Sequence, residues 1–406
     1  MLTVKKFNPI SDIVYTQMPQ DCYRFIEDGA VPRLWFPQQQ VNLQKFAVVA
    51  CDQYSAQKEY WDVVQNFVGS APSALQLMMP EAWLGKNQTH AQAVPGRMEQ
   101  YLTDGTLREI GEGMMFLHRT TTTGIRRGLV LSLDLDPCDF TRGSASLIRA
   151  TERTILERLP ARVAIRAEAP LEMPHIMVLL DDRKNRLMGG LDRMTANREP
   201  FYDFPLMMNS GRLKGWLLKE ESIFDMVADV LLSLKEEAFD GMLYAMGDGN
   251  HSFAAAKAHW DTLKTSLTAD EREWHPARFG LVELVNLYDS ALAFEPIHRL
   301  LMGVDPKAVQ HDLDFDAENP PELQKLQPML DEWLSQHPEA QLEYIHGEAD
   351  CRRLGQASDR LAIVWKKFDK EKLFPDVARH GVLCRKSFSM GSAPDKRFYL
   401  ECRKIR

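Results

Sequence analysis

The segment from residue 222 to residue 263 constrains the fold most strongly, because it predicts a helix, a strand, a turn and a second helix in immediate succession. In residues 222–238 apolar side chains recur at helical spacing, and Ser222 stands at a position suited to cap the helix. Residues 241–246 (GMLYAM) predict a strand, and residues 253–263 predict an alanine-rich helix. This alternation is typical of an α/β protein.

Strand and helix patterns alternate along much of the chain. Residues 114–135 predict a hairpin with Gly124 in its turn, and a helix begins near Lys58. Further strands are predicted at 46–50, 163–166, 175–180 and 279–287, and a further helix at 95–108. The hairpin favours a mixed sheet over a purely parallel one, so the expected class is α/β in the mixed α+β sense.

The composition changes after Gly303. Helical, acidic sequence punctuated by proline extends from 305 to 337, and strand-like pieces follow at 341–346, 360–365 and 397–403. We therefore predict an α/β core over residues 1–303, which carries the candidate site, and a smaller C-terminal α+β region over residues 304–406.

Composition excludes several classes of protein. The 406 residues include 57 acidic and 49 basic ones, and the net charge of -8 disfavours a broad nucleic-acid-binding surface. The longest apolar runs fall far short of the roughly 20 residues of a membrane helix, and the first residues lack a signal-peptide pattern. Six scattered cysteines without a CxxC pair predict reduced thiols. We expect a cytoplasmic protein with small-molecule partners and no membrane partner; the oligomeric state is left open.

The most informative local feature is GDGNHS, between a predicted strand and a predicted helix. Its glycines permit a tight turn, and the N-terminus of the helix suits a phosphate or a carboxylate. The alternative is a simple turn in which Asp248 or Asn250 caps the helix. The candidate phosphate-binding residues here are Gly247, Asp248, Gly249, Asn250, His251 and Ser252, and His251 is also a candidate acid or base.

Three other segments carry candidate site residues. In residues 149–154, Arg149 and Arg153 suit phosphate, and Glu152 suits a general base or Mg²⁺, unless the run is a solvated helix face. His298 and Arg299 follow a proline, so they either line an anion site or begin a helix.

Asp52 follows a predicted buried strand. A carboxylate at the C-terminal end of a strand lies where ligands often meet an α/β sheet; the alternative is that Asp52 caps the next helix. P-loop, HExxH, EF-hand and GxSxG motifs are absent from the sequence.

Taken in order, five segments resemble the family called domain of unknown function 1015. They are ACDQYS at 50–55, TERT at 151–154, GDGNHS at 247–252, EPIHR at 295–299 and KSFS at 386–389. Members of this family are similar to the archaeal free-serine kinase and belong to the ParB/sulfiredoxin fold group. The resemblance implies a ParB/sulfiredoxin-like mixed-sheet core with additional helices.

The chain departs from the family pattern at three positions. Thr151 stands where the family usually has histidine, and Asn250 replaces the first histidine of the loop. Ser252 replaces an arginine that helps to hold nucleotide phosphate in the fold group. The candidates to supply the missing charge are Arg149, Arg153 and Arg299.

The resemblance implies a nucleotide-dependent phosphotransferase that acts on a small hydroxyl-bearing metabolite such as free serine, with Mg²⁺ and ATP or ADP. His251 and Arg299 would stabilise developing charge, Asp248 would orient a metal ion or the acceptor, and Glu152 or Asp52 would be the general base. Thr154 and His298 complete the predicted phosphate site. The alternatives are a non-catalytic nucleotide or metabolite sensor, and an enzyme of different chemistry that keeps the anion-binding loop.

Overall fold

The computed structural model describes residues 25–26, 29–55, 57–83, 87–139, 144–152, 159–173 and 175–406. They form two compact units. Unit 1 takes its residues from 1–149, 154–292 and 393–406, and unit 2 takes its residues from 150–153 and 293–392. This division differs from the predicted boundary near residue 303, because unit 2 begins about one strand earlier and the last residues return to unit 1.

The strands of the described residues are, in chain order, β1 (Phe25–Ile26), β2 (Gly29–Ala30), β3 (Arg33–Pro37), β4 (Val48–Val49), β5 (Leu107–Glu112), β6 (Met114–Thr121), β7 (Gly124–Asp134), β8 (Ile148–Arg149), β9 (Leu171–Glu172), β10 (Met177–Leu180), β11 (Tyr202–Pro205), β12 (Arg212–Leu218), β13 (Tyr244–Asp248), β14 (Phe279–Asn286), β15 (Phe294–Met302), β16 (Gln341–His346), β17 (Arg360–Ile363), β18 (Phe388–Met390), β19 (Phe398–Tyr399) and β20 (Arg403–Lys404).

The α-helices are α1 (Leu43–Phe46), α2 (Lys58–Val68), α3 (Gln88–Thr103), α4 (Leu159–Glu168), α5 (Arg186–Thr195), α6 (Glu221–Glu237), α7 (Asn250–Leu263), α8 (Ala269–Trp274), α9 (Pro306–Asp312), α10 (Leu323–Gln336), α11 (Glu348–Leu354) and α12 (Leu373–His380). Within the described part of the chain, no helix is both long and apolar enough to cross a membrane.

Unit 1 is built on a ten-stranded sheet in the order β11-β12-β6-β7-β14-β10-β13-β8, with β2 paired to β7 and β1 paired to β2. The pairs β10/β14 and β13/β8 are parallel, and the other pairs of this sheet are antiparallel. The predicted mixed α/β class is therefore confirmed.

Both faces of this sheet are buried. On β14, Leu281 packs into a core that includes Val48 and Trp61, whereas Val282 and Leu284 pack into a second core with residues of α5, α6 and α7. Successive side chains of a strand point to opposite faces, so burial on both sides requires apolar residues at consecutive positions such as Leu281 and Val282.

The C-terminal segment 393–406 completes unit 1. β19 pairs with β4 and β20 pairs with β9. Arg397 Nη1 lies 2.6 Å from Glu283 Oε2, and Arg403 Nε lies 2.5 Å from Glu172 Oε1. All four side chains are buried, so these ion pairs hold the segment inside the unit.

Unit 2 is a smaller α+β unit. Its central strand β15 pairs with β16, β17 and β18, all antiparallel. The core beside this sheet contains Leu301, Val309, Leu326, Leu330 and Ile363, contributed by strands β15 and β17 and helices α9 and α10.

Local patterns predicted several elements correctly. The helix beginning at Lys58 is confirmed, and so is the hairpin, in which Thr121 pairs with Gly124. The predicted strand at 163–166 is wrong, because these residues lie in α4. Val163 and Ile165 favour strand locally, but packing of α4 against α7 decides the structure.

Two predicted boundaries also need correction. The helix expected over 95–108 ends at Thr103, and Arg108 belongs to β5. Ser222 is not the helix cap, because the N-cap of α6 is Glu220, without a side-chain hydrogen bond.

Candidate functional site

A sharp turn joins β13 to α7 at the predicted phosphate loop. Gly249 is the N-cap of α7, with φ 81° and ψ 24°. A Cβ atom at this position would lie 3.0 Å from Ile176 Cα and 3.1 Å from Ile176 Cγ1. Both the left-handed backbone and the close approach of Ile176 therefore require glycine here.

The turn is shorter than the sequence predicted, because α7 begins at Asn250 rather than at Phe253. Phe253 N donates to Gly249 O over 3.0 Å, which is the first bond of the helical ladder. The N–H groups of Asn250, His251 and Ser252 precede that bond. They form the positive end of a 14-residue helix.

Asp248, the last residue of β13, does not cap α7. Its Oδ1 accepts from Gly249 N over 2.8 Å, and its Oδ2 accepts from Lys396 Nζ over 3.1 Å. Burial opposes ionisation of Asp248, but Lys396 and His175 outweigh that effect and hold the pKa of Asp248 below its usual value. The turn therefore carries a carboxylate paired with the nearly buried ammonium of Lys396.

A buried histidine and tyrosine lie beside this turn. His175 Nδ1 lies 2.8 Å from Tyr399 Oη, and Tyr399 Oη accepts from Cys51 N over 3.4 Å. Burial, followed by the effects of Cys51 and Asp52, raises the pKa of Tyr399 well above its usual value. Asp52 follows Cys51, whose N–H donates to Tyr399, so the predicted base Asp52 lies near the His175–Tyr399 pair in unit 1.

Arg149 is committed elsewhere in unit 1. Its guanidinium donates to Asp240 Oδ2 over 2.9 Å, to Asp240 O over 2.6 Å and to Ser146 O over 3.3 Å. These contacts favour a structural role in holding the turn before β13 rather than the predicted contact with phosphate.

Within unit 2, the EPIHR and KSFS segments pair with each other in β15 and β18, and the described part of TERT lies beside Leu383. Glu152 forms an isolated bridge with Leu383. Arg299 is fully buried and donates to Ile297 O over 2.7 Å, Lys386 O over 3.0 Å and Arg385 O over 2.8 Å. These contacts give the guanidinium of Arg299 a structural role that the sequence did not indicate.

His298 follows the same pattern, since it is buried in β15 and its Nδ1 accepts from Trp365 N over 3.4 Å. The EPIHR segment is thus strand rather than the helix start that the sequence left open. Arg153 and Thr154, the remaining predicted phosphate ligands, lie outside the described residues.

Sequence reasoning missed Lys396, His175 and Tyr399. Lys396 lies 148 residues from its partner Asp248, and no local motif surrounds it. His175 was included in a predicted strand as an ordinary strand residue, and Tyr399 in a predicted edge strand. The alternation of Arg397, Tyr399 and Glu401 with apolar residues was the one available indication that polar groups here point inward together.

The contacts of Asp248 do not fit the predicted metal-binding role. Both of its oxygens accept hydrogen bonds, and the adjoining ammonium of Lys396 opposes a second cation. Across the described ranges, no three or more His, Cys, Asp or Glu side chains gather as a metal site. We therefore assign no Mg²⁺ ligand among the residues that the structure describes.

Residues 33–369 match the family model described as protein of unknown function (DUF1015). No curated protein matches the chain. A point mutant of a free serine kinase in complex with AMP is similar over 68% of this chain and 92% of its own, with 12% identity and a TM-score of 0.37. The same kinase in complex with ADP is similar over 66% of this chain and 95% of its own, with 12% identity and a TM-score of 0.35. A conserved hypothetical protein from Pyrococcus furiosus is similar over 66% of this chain and 98% of its own, with 12% identity and a TM-score of 0.33.

Proposed function

Because the chain belongs to the DUF1015 family, we propose that it is a nucleotide-dependent phosphotransferase that acts on a small hydroxyl-bearing metabolite such as free serine. The β13–α7 turn carries this proposal. There, the N-terminus of a long helix and the ammonium of Lys396 lie at the same turn, beside Gly249.

In this proposal, Lys396 supplies the positive charge that the loop lacks because Ser252 stands where the family pattern has arginine. The arginines that the sequence suggested, Arg149 and Arg299, donate to Asp240 or to backbone carbonyl groups. Lys396 instead donates to Asp248, at the turn itself. Phosphoryl transfer depends mainly on positioning and on neutralising charge. The N–H groups of the first turn and Lys396 would bind phosphate oxygens, and His251, the second residue of α7, would assist them.

Asp52 is the base in this proposal, because it belongs to the same unit as the turn. It would accept the hydroxyl proton of the acceptor as the hydroxyl oxygen bonds to phosphorus. The bond from phosphorus to the bridging oxygen of the nucleotide breaks, and the nucleotide leaves with one phosphate fewer. Glu152, in unit 2, remains the other predicted base.

The first test is thermal unfolding of the full chain with ATP, ADP, CTP or GTP, each with and without Mg²⁺. A ligand at 100 times its Kd stabilises a protein by about 2.7 kcal/mol. A selective rise in Tm identifies the nucleotide, after which hydroxyl metabolites are screened as acceptors. No rise with any nucleotide would refute the proposal.

The second test compares Lys396→Met with Lys257→Met. Lys257 pairs with Asp261 over 2.7 Å, and its side chain is 12% exposed against 11% for Lys396, so the two substitutions remove paired lysines of similar exposure. Loss of a charge-assisted hydrogen bond worth about 1.5–3 kcal/mol should weaken nucleotide binding roughly 10- to 150-fold in Lys396→Met alone. Adding Asp248→Asn to Lys396→Met removes the unpaired carboxylate and guards against misfolding. Equal affinity in both lysine variants would contradict the role of Lys396.

The third test separates the enzyme from a sensor. Asp52→Asn should lower turnover about 10²- to 10⁴-fold while nucleotide affinity is retained, and Asp62→Asn, on the exposed face of α2, should change neither quantity. Saturable nucleotide binding without phosphate transfer to any hydroxyl metabolite in the wild-type chain would instead favour the sensor.

A further inference from the structure

His175 is buried beside the β13–α7 turn, and the proposed phosphotransferase mechanism does not yet use it. Its Nδ1 is engaged by Tyr399. Its Nε2 makes no hydrogen bond with the residues that the structure describes. This nitrogen is therefore the hydrogen-bonding atom of the buried ring that is left for a ligand.

Tyr399 determines which nitrogen of His175 carries the hydrogen. Tyr399 Oη already accepts the N–H of Cys51, so its own proton needs an acceptor, and His175 Nδ1 lies 2.8 Å away. Burial keeps the phenol protonated, because it raises the pKa of Tyr399 far above neutrality. Nδ1 is then the acceptor, and neutral His175 carries its hydrogen on Nε2.

The chain brings this donor to the phosphate turn. Ile176, next to His175, packs against Gly249, and Met177 is opposite Asp248 in the antiparallel pair β10/β13. The N–H groups of the α7 first turn, Lys396 and His175 thus lie around one turn. So many donors match the three oxygens of a phosphate group better than the two of a carboxylate.

We propose that His175 donates its Nε2 hydrogen to a phosphate oxygen of the bound nucleotide and that Tyr399 is the positioning residue that selects this tautomer. The inference rests on the proposed function. It also selects a phosphate-bearing ligand over a carboxylate for the turn.

The tautomer is tested without ligand by ¹⁵N NMR of the full chain labelled at histidine. The signal of His175 is identified by its loss in His175→Gln. Above the titration range of histidine, wild type should show an Nε2–H tautomer, and Tyr399→Phe should give a mixture or the Nδ1–H form. Tyr202→Phe is the matched control, since Tyr202 is also a buried tyrosine of unit 1 but donates to Glu401. An Nδ1–H tautomer in wild type overturns the inference.

Binding of ADP then tests the contact. The amide nitrogen of glutamine takes the place of Nε2, whereas that of asparagine takes the place of Nδ1. His175→Gln should keep affinity within about threefold of wild type, and His175→Asn should lose about tenfold or more, which corresponds to about 1.4 kcal/mol. ADP binding that is unchanged in both variants overturns this inference and leaves the proposed function standing. Failure of wild type to bind any nucleotide overturns the proposed function itself.

Discussion

Gly249→Ala is expected to destabilise unit 1 through two separable effects. The left-handed conformation, at φ 81°, costs a residue with a Cβ atom about 1–2 kcal/mol. The new Cβ would also lie 3.0 Å from the backbone of Ile176, which cannot rotate away as a flexible side chain could. Overpacking of this kind costs about 1–3 kcal/mol, so the expected loss in the free energy of unfolding is about 2–5 kcal/mol.

Gly105→Ala is the matched control for Gly249→Ala. Gly105 has φ 77°, but a Cβ there would meet no atom within 4 Å, so this substitution should cost only the conformational part, about 1–2 kcal/mol. Urea unfolding of wild type and both variants measures how much each substitution lowers the free energy of unfolding. If Gly249→Ala costs no more than Gly105→Ala, the close packing of Ile176 against the turn is not the constraint described here.

Three further predictions concern buried groups. Arg299→Lys should destabilise unit 2 by about 3 kcal/mol or more, since one ammonium cannot replace the hydrogen bonds to Ile297 O and Arg385 O. A decrease of less than about 1 kcal/mol in the free energy of unfolding, measured in urea, would contradict this. The pKa of Asp248 is lower in the folded protein, so its stabilising contribution is present above the ordinary carboxyl range near pH 4 and is lost as the pH falls through the folded-state value. In urea unfolding from about pH 7 to about pH 3, the free energy of unfolding should therefore fall less steeply with pH in Asp248→Asn than in wild type. An equally steep fall in both proteins would contradict this prediction. Burial raises the pKa of Cys51 to about 12, so Cys51 of the native protein should resist alkylation by iodoacetamide at neutral pH, whereas the urea-unfolded chain should react. Rapid labelling of native Cys51, detected by mass spectrometry, would refute this.

Local patterns predicted those parts of the fold in which nearby residues decide the structure. The hairpin around Gly124 needs only a turn and two alternating strands, and all of that information lies within about 20 residues. The glycine turn before α7 is similarly local, which is why the sequence located Asp248 and Gly249. Where tertiary packing decides, as for Val163 and Ile165 in α4, local preference predicted the wrong element.

The sequence predicted only part of the candidate site, for the same physical reason. Arg299 carries a charge that suits phosphate, but its complete burial and its bonds to backbone carbonyl groups are invisible in the sequence. Lys396 and Tyr399 reach the turn across more than a hundred residues, and only the folded topology brings them together with Asp248 and His175.

The return of the C-terminal segment to unit 1 sets an order of assembly during synthesis on the ribosome. Trp35 pairs with Cys402 across 367 residues, and Glu283 meets Arg397, one of its buried partners, only when residues 393–406 have emerged. Residues 293–392 are translated earlier, so unit 2 has its own strands available first. Unit 1 is thus completed after unit 2. A nascent chain stopped before Lys396 would lack Arg397 and Arg403, which pair with the buried Glu283 and Glu172.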